Sequence, residues 1–150
     1  MLKLYYFKID NNPILMKTIL NNSLNHIPTL AAKIAGNIRG GEIFALAGDL
    51  GSGKTTFVQK IAGKLGIRHK ITSPTFSLLN CFPGKLKNGK KIMVYHLDIY
   101  RTANFREVKA LGLSEFWGQP NTVTFIEWAD KIKKYLPKKT TIINFQTIEK

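Results

Sequence analysis

Gly48-Asp49-Leu50-Gly51-Ser52-Gly53-Lys54-Thr55 fits the spacing G-x-x-x-x-G-K-[ST], which places backbone N–H groups, an ammonium and a hydroxyl around a chain of phosphates. Several negative charges must be met at close range, and residues without a Cβ let the backbone approach that closely. Gly48, Gly51 and Gly53 give that access. The start of the following helix adds unpaired N–H donors and a partial positive charge. In such a loop Lys54 reaches the β and γ phosphates and the Thr55 hydroxyl ligates magnesium. The expected nucleotide cradle is therefore Asp49, Leu50, Gly51, Ser52, Gly53, Lys54, Thr55 and Thr56.

A phosphate loop also needs a carboxylate to hold magnesium or its waters, usually at the end of an apolar strand. Two acids meet that description. Ile92 to Leu97 ends at Asp98, and Val123 to Ile126 ends at Glu127. The chain has only nine acidic residues, so two at strand ends carry information; the competing reading is a pair of strand-end caps or ion-pair partners. Upstream of both acids lies Ile71-Thr72-Ser73-Pro74-Thr75-Phe76, a polar, proline-marked segment. A hydroxyl on such a loop, Ser73 or Thr75, suits a sensor of the γ-phosphate, and a Ser-Pro turn is the plain alternative. His96 stands two residues before Asp98 on the same strand face, so it reads either as a neighbour of the nucleotide or as a hydrogen-bonded structural residue. Arg101, one of four arginines, is a candidate charge-stabilising guanidinium or an ion-pair partner. Trp128 reads as a packing anchor more than as a base-stacking platform.

These residues need particular elements to hold them. Ile43 to Ala47 is a continuous apolar run between glycines, as expected of a strand buried on both faces. The helix after the loop is predicted over about Lys54 to Leu65, stopped by Gly66. Leu30, Ala31, Ile34, Ala35 and Ile38 recur at helical spacing and predict a helix over Thr29 to Ile38, after a loop over Asn21 to Pro28. Strands are expected at Leu2 to Phe7, Val123 to Ile126 and Thr140 to Phe145. Phe76 to Phe82 and Lys91 to Asp98 flank Pro83-Gly84 and Asn88-Gly89, a hairpin-like pair joined by a basic loop. Strands alternating with helices give an α/β, three-layer sandwich around a mainly parallel central sheet, with a hairpin insertion. The pattern reads as a single domain over 1–150, with an extended N-terminal segment over 1–28 and a core over about 29–145.

Composition bounds the rest. Lys and Arg number 23 against 9 Asp and Glu, a net charge of +14, which suits an RNA, an acidic protein or a phosphorylated small molecule. With 44% hydrophobic residues the chain can fill a core. A single cysteine, Cys81, excludes an intramolecular disulfide and a multi-cysteine zinc site and fits a reducing cytosol. No apolar run reaches the roughly 18 residues of a membrane span, and Met1 to Leu20 lacks the pattern of a secretory signal. The expected location is the cytoplasm, with no membrane partner.

GDLGSGKTTF (48–57), SPTFSLL (73–79), YHLDIYR (95–101), LGLSEFW (111–117) and IEW (126–128), in that order, resemble the TsaE family over about residues 29–145. The resemblance implies a small P-loop ATPase required for threonylcarbamoyladenosine modification of tRNA, working with the proteins TsaD and TsaB without itself transferring the threonylcarbamoyl group. It implies ATP and Mg²⁺ as cofactors, Glu127 as a magnesium ligand beside Thr55, Asp98 as a second acid near the metal, and Thr75 as a switch-like threonine. It also implies a nucleotide contact around His26 to Thr29, with Thr29 the matching residue. Two other functions fit the same loop. A small-molecule kinase shares it but tends to need an arginine-rich lid, and a nucleotide-gated binding module would hydrolyse only incidentally. A GTPase is disfavoured because no N-K-x-D tetrapeptide occurs. Nine lysines lie away from the phosphate loop, 85, 87, 90 and 91 on the hairpin loop and 131, 133, 134, 138 and 139 on an expected last helix and its exit; they read either as a solvated surface or as a contact for an acidic protein or tRNA.

Overall fold

A computed structural model describes residues 3–10 and 26–149. Six strands form one sheet: β1 (Lys3–Asp10), β2 (Glu42–Ala47), β3 (Leu79–Lys85), β4 (Lys91–Asp98), β5 (Thr122–Glu127) and β6 (Thr141–Glu149), in the order β1-β6-β2-β5-β4-β3. The central pairings β6-β2, β2-β5 and β5-β4 are parallel, and both outer pairings, β1-β6 and β4-β3, are antiparallel. Helices α1 (His26–Asn37) and α2 (Lys54–Lys64) cover one face. The short helix α3 (Phe105–Ala110) and the 3₁₀ segments Leu113–Phe116 and Ala129–Tyr135 cover the other. The alternation of β2 explains this three-layer arrangement. Phe44 and Leu46 point into the core beneath α1 and α2, while Ile43 and Ala45 point into the second core, so every position of the strand's interior is apolar.

Three expectations shift. First, α1 starts at His26, three residues before the predicted Thr29, and contains Pro28 in its first turn. A proline is tolerated there because those N–H groups have no intrahelical acceptor. Asn21 to Asn25, predicted as loop, lie outside the described residues.

Second, Pro83-Gly84 is not a turn but the interior of β3, and the hairpin turns at Leu86 to Lys90, where Leu86 N–H donates to Lys90 O at 2.8 Å. Pro83 is opposite Met93, whose N–H is directed to Asn121 O at 2.9 Å on the far side, so the missing proline N–H costs the ladder nothing on this edge strand. Gly84 serves a close approach. A Cβ there would lie 3.0 Å from Leu65 O, the carbonyl at the end of α2 that accepts Lys85 N–H at 2.8 Å.

Third, the helix expected to carry Lys131 to Lys134 is a 3₁₀ segment broken at Ile132 (φ −126°).

Helix α3 carries no repeating apolar stripe, having Val108 as its one buried residue, yet its start is encoded. Asn104 Oδ1 accepts Glu107 N–H at 3.1 Å while Glu107 Oε2 accepts Ala103 N–H at 2.7 Å, a reciprocal cap. Asn104→Ala is expected to lower stability by about 1 kcal/mol, read as a shift in the urea midpoint with unchanged slope.

Candidate functional site

The phosphate loop leaves β2 at its C-terminal end and enters α2 through a run of unusual backbone angles: φ is +145° at Gly48, +74° at Gly51 and +101° at Gly53. Gly48 is forced by contact as well as by φ, since a Cβ there would fall 2.4 Å from Phe145 O. Strands β4 and β5 are parallel neighbours in register, Asp98 beside Glu127. Both acids therefore end their strands on the edge from which the loop emerges. An open cleft of about 370 Å³ lies there. It is lined by loop residues Leu50 to Thr56 and by Ser73, Thr75, Asp98, Tyr100, Glu127 and Trp128.

Lys54 is only 5% exposed. Its Nζ donates to Gly48 O at 2.5 Å and Asp49 O at 2.9 Å, with Ser52 Oγ at 3.4 Å, and it sits 4.1 Å from the centroid of the Trp128 ring. Burial lowers the Lys54 pKa from its ordinary value, opposed by the carboxylates of Glu127, Asp98, Asp130 and Asp49. Its partners at hydrogen-bond range are neutral. An anion entering the loop would meet a positive charge that has given up hydration and has no opposite charge bonded to it.

Glu127 accepts the Thr55 hydroxyl on Oε1 at 2.7 Å, and His96 Nε2 stands 2.7 Å from the same oxygen. Asp98 is engaged differently. Its Oδ2 accepts Ser73 Oγ–H at 2.6 Å and Thr75 Oγ1–H at 2.8 Å, and its Oδ1 accepts Tyr100 N–H at 2.9 Å. Asp98 thus ties the 73–75 loop to the sheet. Both oxygens of Asp98 are occupied, whereas among the described residues Glu127 uses one.

Magnesium takes hard oxygen ligands, often one or two carboxylates with phosphates and waters completing the shell, and does not need a protein cage. Thr55 Oγ1 and the Glu127 carboxylate, adjacent oxygen donors on the cleft wall, fit that requirement. Among the described residues no cluster of three or more His, Cys, Asp or Glu could hold a metal unaided.

The fold thus brings together Leu50 to Thr56, Thr75, Asp98 and Glu127. Asp49 takes part through its carbonyl, which accepts from Lys54, and is not in the cleft wall. Thr29 lies exposed in the first turn of α1 and does not line the cleft, although Ile27, two residues before it, approaches to 3.0 Å of where a Gly53 Cβ would stand. Arg101 is not in the cleft wall either; its guanidinium lies 4.8 Å from the ring centroid of the exposed Phe76. Trp128 goes beyond a packing anchor, because a left-handed φ of +63° at the strand end turns its ring under Lys54. That position follows from the loop's placement beside β5, which local periodicity does not report.

The chain has matches among known proteins. The family model described as "Threonylcarbamoyl adenosine biosynthesis protein TsaE" matches residues 21–150. The chain is 37% identical over 109 residues to the tRNA threonylcarbamoyladenosine biosynthesis protein TsaE of Treponema pallidum, covering 72% of this chain and 75% of that one. It is 33% identical over 134 residues to the protein of that name from Rickettsia bellii, covering 89% and 88%. A crystal structure of Bacillus subtilis YdiB superposes with a TM-score of 0.58 at 28% identity, over 91% of this chain and 72% of that one. Because the family match runs through the loop, both strand-end acids and the segment between them, the chain belongs to the TsaE family, proteins of threonylcarbamoyladenosine biosynthesis in tRNA.

Proposed function

We propose that the chain is a Mg²⁺-dependent ATP-binding and hydrolysing subunit of this pathway, acting in the cytoplasm with TsaD and TsaB while the transfer itself occurs on a partner. The observation that carries the reading is the 2.7 Å bond between Thr55 and Glu127. It joins the helix end of a phosphate loop to a strand-end carboxylate, the pairing that metal-assisted phosphoryl chemistry uses. Lys54, buried and desolvated, is the charge that meets the phosphates. No helix among the described residues is long and apolar enough to cross a membrane.

The test is ATP hydrolysis measured with and without Mg²⁺, TsaD, TsaB and tRNA. Slow hydrolysis alone, raised by the partner proteins and lost in Glu127→Ala, is expected. Rapid partner-independent transfer of phosphate to a small acceptor would replace this reading with a kinase.

Thr75 supports a second expectation. Its hydroxyl is bound to Asp98 in a loop that borders the cleft, so a γ-phosphate that recruits it must draw it from Asp98. Thr75→Ala should bind ATP with near-normal affinity yet fail to sustain tRNA modification in a reconstituted reaction; normal modification would remove Thr75 from the mechanism.

A further inference from the structure

We propose that His96 is a positioning residue that fixes the Glu127 carboxylate so that one oxygen is held by the protein and the other is presented to the metal side of the cleft. This rests on the reading of Glu127 as a magnesium-side ligand and adds a residue to it.

His96 is fully buried on β4, and its Nε2 lies 2.7 Å from Glu127 Oε1. Thr55 donates to that same oxygen from the opposite side of the sequence, also at 2.7 Å. Two donors converging on Oε1, one from a strand and one from a helix, fix both the position and the rotation of the carboxyl group. Among the described residues no donor reaches Oε2. Hydrogen bonds from an outer residue that orient a ligand in this way commonly decide metal affinity.

The other ring nitrogen sharpens the assignment. Nδ1 is buried without a partner. Glu127 Oε1 is an acceptor and Nδ1 faces none, so the ring N–H that the geometry can use is the one on Nε2, which donates to Glu127. An orphaned buried nitrogen is a cost that an apolar side chain of similar size would avoid. Among the described residues the bond to Glu127 is the ring's single polar contact, and it gives a reason for a histidine at a position where packing alone would be served by leucine.

The experiment compares wild type, His96→Leu and His96→Gln. Nucleotide affinity is measured by calorimetry once with Mg²⁺ and once with EDTA, Mn²⁺ binding to the protein–ADP complex is followed by electron paramagnetic resonance, and thermal melts check folding. In Gln the side-chain amide supplies an N–H near the position of Nε2. His96→Leu is expected to keep its melting temperature and its affinity for metal-free nucleotide, and to lose about 10- to 100-fold in metal affinity. His96→Gln is expected to recover most of that loss. Equal loss with and without metal, or no rescue by Gln, would make His96 a residue of the fold only and overturn the proposal. Unchanged metal affinity in His96→Leu, alongside a large loss in Glu127→Ala, would overturn it while leaving the Glu127 reading intact. Unchanged metal affinity in Glu127→Ala would overturn both.

Discussion

Lys54→Ala is expected to reduce ATP hydrolysis by a factor on the order of 10²–10³, measured with the partner proteins present. The reason is electrostatic. Lys54 is held by two backbone carbonyls and the face of Trp128, with burial weakening its charged form. Charge developing on the phosphates of a bound nucleotide would be offset by an ammonium that is already positioned and already stripped of most water, so little reorganisation remains to be done. Free of nucleotide, the variant should be as stable as wild type or slightly more so, because the desolvated ammonium is gone. With ATP the order reverses. Ligand at about 100 times its dissociation constant stabilises a protein by about 2.7 kcal/mol, so wild type should show a clear rise in melting temperature and Lys54→Ala little or none. A variant that hydrolyses ATP normally would show that the loop's backbone, not its lysine, meets the phosphates.

How much of this was readable in advance depends on the range of the signal. The loop and its flanking elements are local: an apolar run buried on both faces, three glycines and a helix start all lie within Ile43 to Leu65. Asp98 and Glu127 are also visible, because each ends an apolar run. Pro83-Gly84 reads as a turn because sequence shows that an N–H is missing but not that Met93 bonds away from it, on an edge strand. Helix α3 has six residues and one buried side chain, too little for periodicity, though Asn104 and Glu107 mark its cap. The contact between His96 and Glu127 spans 31 positions and depends on β4 lying beside β5 in a given register; nothing local encodes that. The lysine clusters divide in a similar way. Lys131, though exposed, donates to the carbonyls of Ile99, Tyr100 and Thr102, so it braces the segment after Asp98. Lys90 donates to Arg39 O at 3.2 Å, across the surface from its own hairpin. Net charge counts such residues with the solvated ones, and only their partners separate them.

Gly48→Ala is expected to be the most destabilising single methyl that can be added to the loop, at about 2–6 kcal/mol. Two costs combine. The backbone at φ +145° is poorly accessible to a residue with a Cβ, worth about 1–3 kcal/mol of strain. The new methyl would also lie 2.4 Å from Phe145 O, 2.8 Å from Ser52 Oγ and 2.9 Å from Phe145 Cβ, and overpacking typically costs about 1–3 kcal/mol more. Relief by movement is difficult. Phe145 belongs to β6, which pairs with β2 at Ala47↔Asn144, and its ring packs edge-on against Phe57 at 5.5 Å in the core under α2. Displacing it would disturb the sheet and the helix that follows the loop together. Gly51 provides the control. Its φ of +74° imposes strain, but nothing lies within 4 Å of its Cβ position, so Gly51→Ala should cost only about 1–2 kcal/mol. Urea midpoints of the two variants separate the effects: a loss at Gly48 well beyond that at Gly51 means the loop is seated on β6 as a rigid body, and equal losses would mean that β6 yields. Against a typical total stability of about 5–15 kcal/mol, the larger loss leaves a protein near the margin of folding. The phosphate loop's shape is then set by a strand more than ninety residues later in the chain, and its preorganisation is a property of the completed sheet.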